Sequence, residues 1–174
     1  MNLKSILLLV VCLTASAFAT EPTLIANPLV DFTGHKEAVL AVEKIRATRV
    51  VSESEFLRLA GEPGTVVLDA RSRDMFRRLH LKGAVNLSFP DFTVETLARV
   101  IPEKTTRVLI YCNNNFTGSS RAFPAKAIAV ALNLSTFVAL HAYGYDKVCE
   151  LGPLLDVKTT QLPLEGSEVP ALAP

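Results

Sequence analysis

A run of β-branched and apolar residues that stops abruptly at a cysteine constrains this chain more than any other feature. Residues 108–111 form the run, Cys112 ends it, a polar loop follows, and an apolar, alanine-rich stretch covers residues 124–132. This order predicts a buried strand, a loop and a buried helix. Proline is favourable at a first helical position, so we expect the helix to begin at Pro124.

Cys112 lies where such a helix would direct its free N–H groups. The first N–H groups of a helix have no partner within it, and they carry the positive end of the helix dipole. A cysteine in this setting is expected to ionise, and the thiolate is the nucleophile. We therefore interpret Cys112 as a catalytic residue, in preference to a small apolar residue packed at a strand end.

Composition excludes some functions. The chain has 174 residues, enough for one domain with its own core, and its 18 Lys and Arg residues nearly balance its 17 Asp and Glu residues. There is no basic stripe, so we do not expect nucleic-acid binding. No histidines or cysteines have the spacing of metal ligands, and we predict neither a metal nor another cofactor.

Residues 1–19 are typical of a secretory signal peptide. They contain one charged residue (Lys4), an apolar run over residues 6–13, and a small-x-small sequence that ends at Ala19. The segment is too short to span a bilayer, so we predict cleavage after Ala19 and no membrane span in the mature chain. The predicted location is periplasmic or secreted. Unused Asn-x-Ser/Thr sites at Asn86, Asn115 and Asn133 would suit a bacterial periplasm.

The mature chain keeps two cysteines, Cys112 and Cys149. Cys149 lies in a half-apolar segment, residues 145–151, which is typical of a helix, and we expect it to be a packed core thiol. A disulfide between the two is the alternative in an oxidising compartment.

Strand and helix patterns alternate along the chain, which predicts a three-layer α/β/α fold with a mostly parallel central sheet. Ligands bind at the carboxyl ends of such strands, where Asp69 and Cys112 are both expected. An amphipathic helix over residues 34–46 precedes this region, and its expected partner is the same domain. The other predicted strands cover 49–51, 65–70, 84–87 and 136–140, and the other predicted helices cover 52–59, 72–78, 91–100 and about 146–151.

The expected organisation has four parts. They are the signal peptide (1–19), an N-terminal arm and helix (20–48), the α/β domain (49–156) and a C-terminal tail (157–174). The tail contains three prolines and few apolar anchors, so we expect it to be mobile.

Four segments, in order and roughly in spacing, resemble the rhodanese-like domain family. They are Val-Leu-Asp-Ala-Arg at 67–71, His-Leu-Lys-Gly-Ala-Val-Asn at 80–86, Val-Leu-Ile-Tyr-Cys at 108–112 and Phe-Val-Ala-Leu at 137–140. The resemblance covers about residues 50–155. It implies a rhodanese-like fold and a sulfurtransferase. Cys112 would accept sulfane sulfur from a donor, hold it as a persulfide and pass it to a thiol-type acceptor, such as a protein thiol.

The resemblance also implies which residues surround the cysteine. The loop is about four residues longer than is usual in the family, which suits a larger acceptor. Its asparagines supply amide donors for an anion. Phe116 either covers the sulfur or packs under the loop, and Arg121 either binds an anionic substrate or is solvated. The implied substrate-binding residues are Asn113, Asn114, Asn115, Phe116, Thr117, Gly118 and Arg121.

Four further residues are expected to support the site structurally. Asp69 and Arg71 would form a buried ion pair, since a buried charge must be partnered. His80 would be hydrogen-bonded, and Gly83 would form a turn.

Two other functions stay open. The first is a non-catalytic rhodanese-like module that binds another secreted protein, and the second is a redox pair of Cys112 and Cys149. A cysteine phosphatase needs an arginine six positions after the cysteine to hold the phosphoryl group. Gly118 occupies that position, so we reject this function.

Overall fold

The structure, a computed structural model, describes residues 25–170. The signal peptide predicted over residues 1–19 lies outside the described residues. One compact unit begins at Phe32. Residues 25–31 belong to the other unit, and in them the Val30 N–H donates to the Asn27 carbonyl at 3.1 Å. No helix in the described part of the chain is long and apolar enough to cross a bilayer.

Five helices and nine strands occur within residues 25–170. The helices are α1 (Phe32–Arg46), α2 (Glu53–Ala60), α3 (Arg73–Arg78), α4 (Val94–Val100) and α5 (Leu132–Ala142). The strands are β1 (Val50–Val51), β2 (Thr65–Asp69), β3 (His80–Leu81), β4 (Val85–Asn86), β5 (Arg107–Tyr111), β6 (Phe116–Thr117), β7 (Val148–Leu151), β8 (Leu155–Asp156) and β9 (Leu164–Glu165).

The central sheet contains five parallel strands in the order β1-β7-β5-β2-β4. The predicted α/β fold with a mostly parallel sheet flanked by helices is therefore confirmed. Asp69 is the register partner of Tyr111, the residue before Cys112. The ends of β2 and β5 thus lie side by side, and Asp69 and Cys112 share one edge of the sheet.

Two apolar clusters cover the two faces of the sheet. Successive side chains of a strand point to opposite faces. Leu109 and Tyr111 accordingly belong to one cluster, and Val108 and Ile110 belong to the other. Val42 of α1 is buried in the second cluster, and α1 packs against α5. The expectation that the N-terminal helix has its partner in this domain is confirmed.

Before Cys112 the predicted elements are found with small shifts. The Ser52 side chain accepts the Glu55 N–H at 3.2 Å at the start of α2. The Ser72 side chain accepts the Met75 N–H at 3.4 Å at the start of α3. These contacts cap both helices. The helix expected from residue 91 begins only at Val94, after a short 3₁₀ turn.

The helix predicted over residues 124–132 is wrong. This stretch contains only a 3₁₀ turn, Ile128–Val130, and α5 begins at Leu132. Ile128 is 87% exposed and Val130 is 62% exposed. Short helices are marginal without an apolar face to bury, so alanine content alone does not hold this stretch in a helix.

The next two predicted elements are exchanged. Residues 136–140, predicted as a strand, belong to α5, and residues 146–151, predicted as a helix, contain β7. A short buried apolar run does not distinguish a strand from a helix. Two signals for α5 are present nonetheless. Gly144, with φ of 84°, follows the helix end. The buried residues of α5 have helical spacing: Asn133, Thr136, Phe137 and Leu140.

The expectation of few apolar anchors after residue 156 is wrong for residues 157–170. Val157 and Leu162 are buried in the first cluster. Strand β9 pairs antiparallel with β3. The N–H groups of Ser167 and Glu168 donate to carbonyls at the end of α3, at 3.0 and 2.8 Å. This part of the chain is packed against the domain.

Candidate active site

Cys112 directly follows β5 and is 2% exposed. Backbone N–H groups of Asn114, Leu132 and Asn133 are directed at its sulfur. The N–H of Asn115 donates to the Cys112 carbonyl at 3.2 Å. We name the N–H groups of Asn114, Leu132 and Asn133 the amide cradle. One of its members comes from the turn after the cysteine, and two come from the start of α5. The predicted helix N-terminus at the sulfur therefore exists, but α5 supplies it.

The pKa of Cys112 lies above its ordinary value of 9.0. Burial raises the pKa, the N–H groups of Asn133, Asn114 and Leu132 lower it, and the charge of Glu150 raises it. Burial disfavours the charged form of a thiol, and here it outweighs the hydrogen bonds. The prediction that the Cys112 thiol ionises readily is therefore wrong, because its pKa is raised and not lowered.

Asn115 connects the elements that form the cradle. Its Oδ1 accepts the Cys112 N–H at 2.8 Å and the Asn133 Nδ2 at 3.0 Å. Its Nδ2 donates to the carbonyls of Leu151 at 2.8 Å and Pro153 at 3.3 Å. One buried amide thus joins the ends of β5 and β7 to the start of α5. Both polar atoms of the Asn115 side chain are used in these contacts, which hold the site together.

The other two asparagines differ from Asn115. Asn114 exchanges two hydrogen bonds with the backbone of Lys126, at 2.8 and 3.0 Å. These bonds close the long loop, residues 113–131, back on the turn after Cys112. Asn113 is buried, its Nδ2 is 3.5 Å from the Met75 sulfur, and its Oδ1 has no hydrogen-bond partner. An unpaired acceptor therefore lies on the residue after Cys112.

Phe116, Thr117 and Gly118 belong to the packing of the loop. The Phe116 ring is 4.6 Å from that of Phe123 between centroids, so the packing alternative applies to it. Thr117 lies in β6, which pairs with β8. Gly118 has φ of 85°, and a Cβ there would lie 2.8 Å from Asp156 Oδ1. These three residues thus contact the core and the segment around β8.

Asp69 and Arg71 form the expected buried ion pair, with Nη2 and Oδ2 2.6 Å apart. Arg71 also donates to the carbonyls of Leu79 and Ala122, each at 2.8 Å. Its guanidinium lies 4.1 Å from the centre of the Phe123 ring. Because Ala122 and Phe123 belong to the 113–131 loop, Arg71 fastens this loop to the sheet.

His80 and Gly83 make structural contacts. His80 Nδ1 lies 2.7 Å from the Phe76 carbonyl, and the His80 ring stacks on the Phe76 ring at 3.7 Å. Gly83 has φ of 76° in a turn that the Ala84 N–H closes on the Leu81 carbonyl at 3.0 Å. The left-handed backbone explains the glycine.

A family model for the rhodanese-like domain matches residues 52–151, more than half of the chain. The chain belongs to the rhodanese-like domain family. A search of curated proteins found no match.

Three solved structures of different origin are similar to this chain. A crystal structure of a Bacillus halodurans protein is 17% identical, covers 76% of this chain and 87% of its own, and has a TM-score of 0.49. The rhodanese-like domain of an Anabaena protein is 24% identical, with coverages of 72% and 87% and a TM-score of 0.45. A rhodanese with anions from E. coli is 22% identical, with coverages of 59% and 99% and a TM-score of 0.41.

Within this rhodanese-like domain the loop after the cysteine is much longer than we predicted. Residues 113–131 separate Cys112 from α5, whereas a helix that began at Pro124 would have ended the loop at residue 123. Arg121 lies on this loop with its side chain 73% exposed and 3.3 Å from Glu168. This exposure favours the alternative that Arg121 is solvated over the alternative that it binds an anionic substrate near the sulfur.

Sequence reasoning missed the charged pair near Cys112. Glu150 of β7 is buried, and both of its carboxylate oxygens accept hydrogen bonds from Arg46 at 2.7 Å. The signal was an acidic residue within a run that is otherwise apolar, Val-Cys-Glu-Leu. Asn133, noted only as a glycosylation sequence, is buried in the site and carries one cradle N–H.

Cys112 and Cys149 are both free thiols. Cys149 lies in the first cluster, so the prediction of a packed core thiol is confirmed, although it lies on a strand. Within residues 25–170 no group of three His, Cys, Asp or Glu side chains is placed to hold a metal ion. The arrangement is a buried thiol that faces several N–H donors, which is suited to stabilising a negative charge on sulfur.

Proposed function

We propose that Cys112 carries sulfane sulfur as a persulfide and passes it to a thiol acceptor. The observation that carries this proposal is the amide cradle, because three N–H groups converge on one sulfur atom. Fixed backbone donors stabilise developing negative charge without any reorganisation during the reaction. Membership of the rhodanese-like family supports sulfurtransferase-like chemistry in general terms.

The proposed reaction has two steps. The Cys112 thiolate attacks the sulfane sulfur of the donor, a new S–S bond forms, and the donor fragment leaves with the electron pair of the broken bond. The acceptor thiolate then attacks the outer sulfur, and the Cys112 thiolate is released. Because persulfidation is reversible, the cysteine is regenerated in each cycle. The cradle faces the same sulfur at the start and the end.

The buried thiol requires an opening step. Cys112 is 2% exposed, and the Asn114–Lys126 hydrogen bonds hold the adjacent loop closed. We propose that the 113–131 loop moves aside when donor or acceptor binds, which suits a large acceptor such as a protein thiol. A periplasmic or secreted location, after removal of residues 1–19, remains part of the proposal. Mass analysis of the N-terminus in a periplasmic fraction tests it.

A sulfur-transfer assay tests the proposed function. The protein is incubated with thiosulfate or a persulfide donor, and transfer to cyanide or to a thiol is measured. We expect Cys112→Ser to abolish transfer and Cys149→Ser, the matched control, to retain it. Equal transfer by wild type and Cys112→Ser would exclude Cys112 as the carrier.

Two observations favour a second candidate, a non-catalytic module that binds another protein. The thiol is sealed and its pKa is raised. The loop also exposes two apolar side chains, Ile128 and Val130. Under this function Cys112→Ser keeps partner binding and Ile128→Asp weakens it. Under the first function Cys112→Ser loses sulfur transfer.

A further inference from the structure

The ion pair between Arg46 and Glu150 lies on the same face of the sheet as the nucleophile. Glu150 is the register partner of Ile110 and lies two residues after Val148 on β7, and both Ile110 and Val148 belong to the second cluster. Cys112 follows Ile110 by two residues in extended backbone, with φ of −146°. Alternation along a strand therefore directs Cys112 to this face as well. Glu150 and Cys112 are diagonal neighbours on adjacent strands.

The pair is built from two different parts of the chain. Glu150 is buried on β7, whereas Arg46 is the last residue of α1 and lies outside the segment that matches the family model. Arg46 holds the carboxylate with two hydrogen bonds, Nε to Oε2 and Nη2 to Oε1, both 2.7 Å long. An added helix thus supplies the counter-charge for an acid that faces the active-site sulfur.

The effects of these two charges on a thiolate have opposite sign. A carboxylate disfavours a second negative charge nearby, and a guanidinium favours it. The charge of Glu150 acts on the Cys112 sulfur, and Arg46 acts on the sulfur by neutralising that carboxylate. The balance between the two charges therefore affects the fraction of Cys112 that is present as thiolate.

We propose that Arg46 and Glu150 are positioning residues that set the reactivity of Cys112, Glu150 by holding the sulfur in its neutral form and Arg46 by offsetting that effect. The inference rests on the proposed function, in which Cys112 is the nucleophile. The sealed thiol is kept unreactive towards unrelated electrophiles. An acceptor or partner that moved Arg46 relative to Glu150 would change the reactivity of the Cys112 thiol.

Several other titratable groups lie on the elements around the pair, and on α1 they include Lys36, Glu37 and Lys44. On the same helix, His35 and Glu43 line the groove beside Arg46. On α5, the only titratable residue is His141, near the end of the helix. Arg49, before β1, contacts Glu150 through its backbone carbonyl at 2.8 Å. Arg46 forms the ion pair with Glu150, so variants at these two positions test the charges of the pair.

The test is the pH profile of Cys112 alkylation by iodoacetamide. Cys12→Ala and Cys149→Ala, made together in the full chain, leave Cys112 as the only cysteine. The midpoint of the profile reports the charge around the sulfur, and the plateau at high pH reports its accessibility. The assay does not depend on sulfur transfer, so its outcome is separate from that of the proposed function.

We expect Glu150→Gln to move the midpoint to lower pH and to raise the rate at pH 7 by about threefold to tenfold. Arg46→Met, which keeps an apolar stem, should move the midpoint up and lower that rate by a similar factor. Arg46→Lys should restore most of the wild-type rate, because the charge is kept. Glu62→Gln is the matched control, since Glu62 pairs with Arg107 at the opposite end of β5.

Two outcomes would overturn the proposal. One is a folded Glu150→Gln protein whose midpoint equals that of wild type. The other is a change of the same sign in Glu150→Gln and Arg46→Met, which would mean that the pair only holds the structure closed. If Arg46→Met does not fold, Glu150→Gln and Arg46→Lys still test the proposal. A charge effect requires that Glu150→Gln shifts the midpoint and that Arg46→Lys leaves it unchanged.

Discussion

Two ion pairs flank the end of β5, and they differ in burial and in what they contact. The Asp69–Arg71 pair is completely buried, and Arg71 donates to Asp69 and to a carbonyl of the 113–131 loop. In the Arg46–Glu150 pair the Arg46 side chain is 37% exposed, and Glu150 acts on the Cys112 sulfur. The buried pair is suited to holding the loop, and the half-exposed pair is suited to adjusting reactivity.

The largest expected effect is on the buried pair. Arg71→Met keeps an apolar stem but leaves Asp69 charged and unpaired, and we expect it to lower the free energy of unfolding by about 3–5 kcal/mol. The matched control is Arg121→Met, which removes an exposed pair and should cost less than about 1 kcal/mol. Urea unfolding measures both. Equal losses would contradict the distinction between the pairs.

The second prediction concerns Asn115, which lies between the two pairs. Asn115→Ala removes the acceptor of the Cys112 N–H and the donor to the Leu151 carbonyl. Leaving buried polar groups unsatisfied should cost about 1–3 kcal/mol. Asn114→Ala, at a half-buried position, should cost less in the same unfolding experiment. An Asn115→Ala protein as stable as wild type would show that its four contacts are dispensable.

A smaller effect is expected on access to the thiol. Asn114→Ala removes both hydrogen bonds to Lys126 and keeps the cradle N–H of residue 114. Loosening a link worth about 1 kcal/mol should speed Cys112 alkylation about fivefold at constant pH. An unchanged rate would show that another part of the molecule controls access.

The smallest effect is a displacement of the alkylation midpoint in the wild-type protein. The pKa of Cys112 is raised, so the folded protein retains the thiol proton at pH values where a free thiol has lost it. At neutral pH less thiolate is present, and the alkylation rate should climb through a midpoint above pH 9.0. A midpoint below this value would mean that the cradle outweighs burial.

The sequence predicted the fold well up to Cys112 and poorly beyond it. The caps at Ser52 and Ser72 and the strand ending at Asp69 follow from local patterns. The secondary structure after Cys112 depends on which apolar side chains are buried in the core. Ile128 and Val130 are exposed, whereas Thr136, Phe137 and Leu140 are buried as part of α5.

The site was predicted in the same uneven way. Cys112 and the Asp69–Arg71 pair follow from strand ends that meet at one edge of a parallel sheet. The roles of Asn115 and Asn133 require knowing that α5 begins at Leu132, because their hydrogen bonds cross between elements. Arg46 and Glu150 are 104 positions apart, and no local pattern connects them.

The most direct test of the central claim is the intact mass of the protein after incubation with thiosulfate or a persulfide donor. Wild type and Cys149→Ser should each gain one sulfur atom on Cys112, and a reducing thiol should remove it. Cys112→Ser should gain none. If wild type gains no sulfur with any donor, Cys112 is not a sulfur carrier, and the non-catalytic binding module becomes the better account.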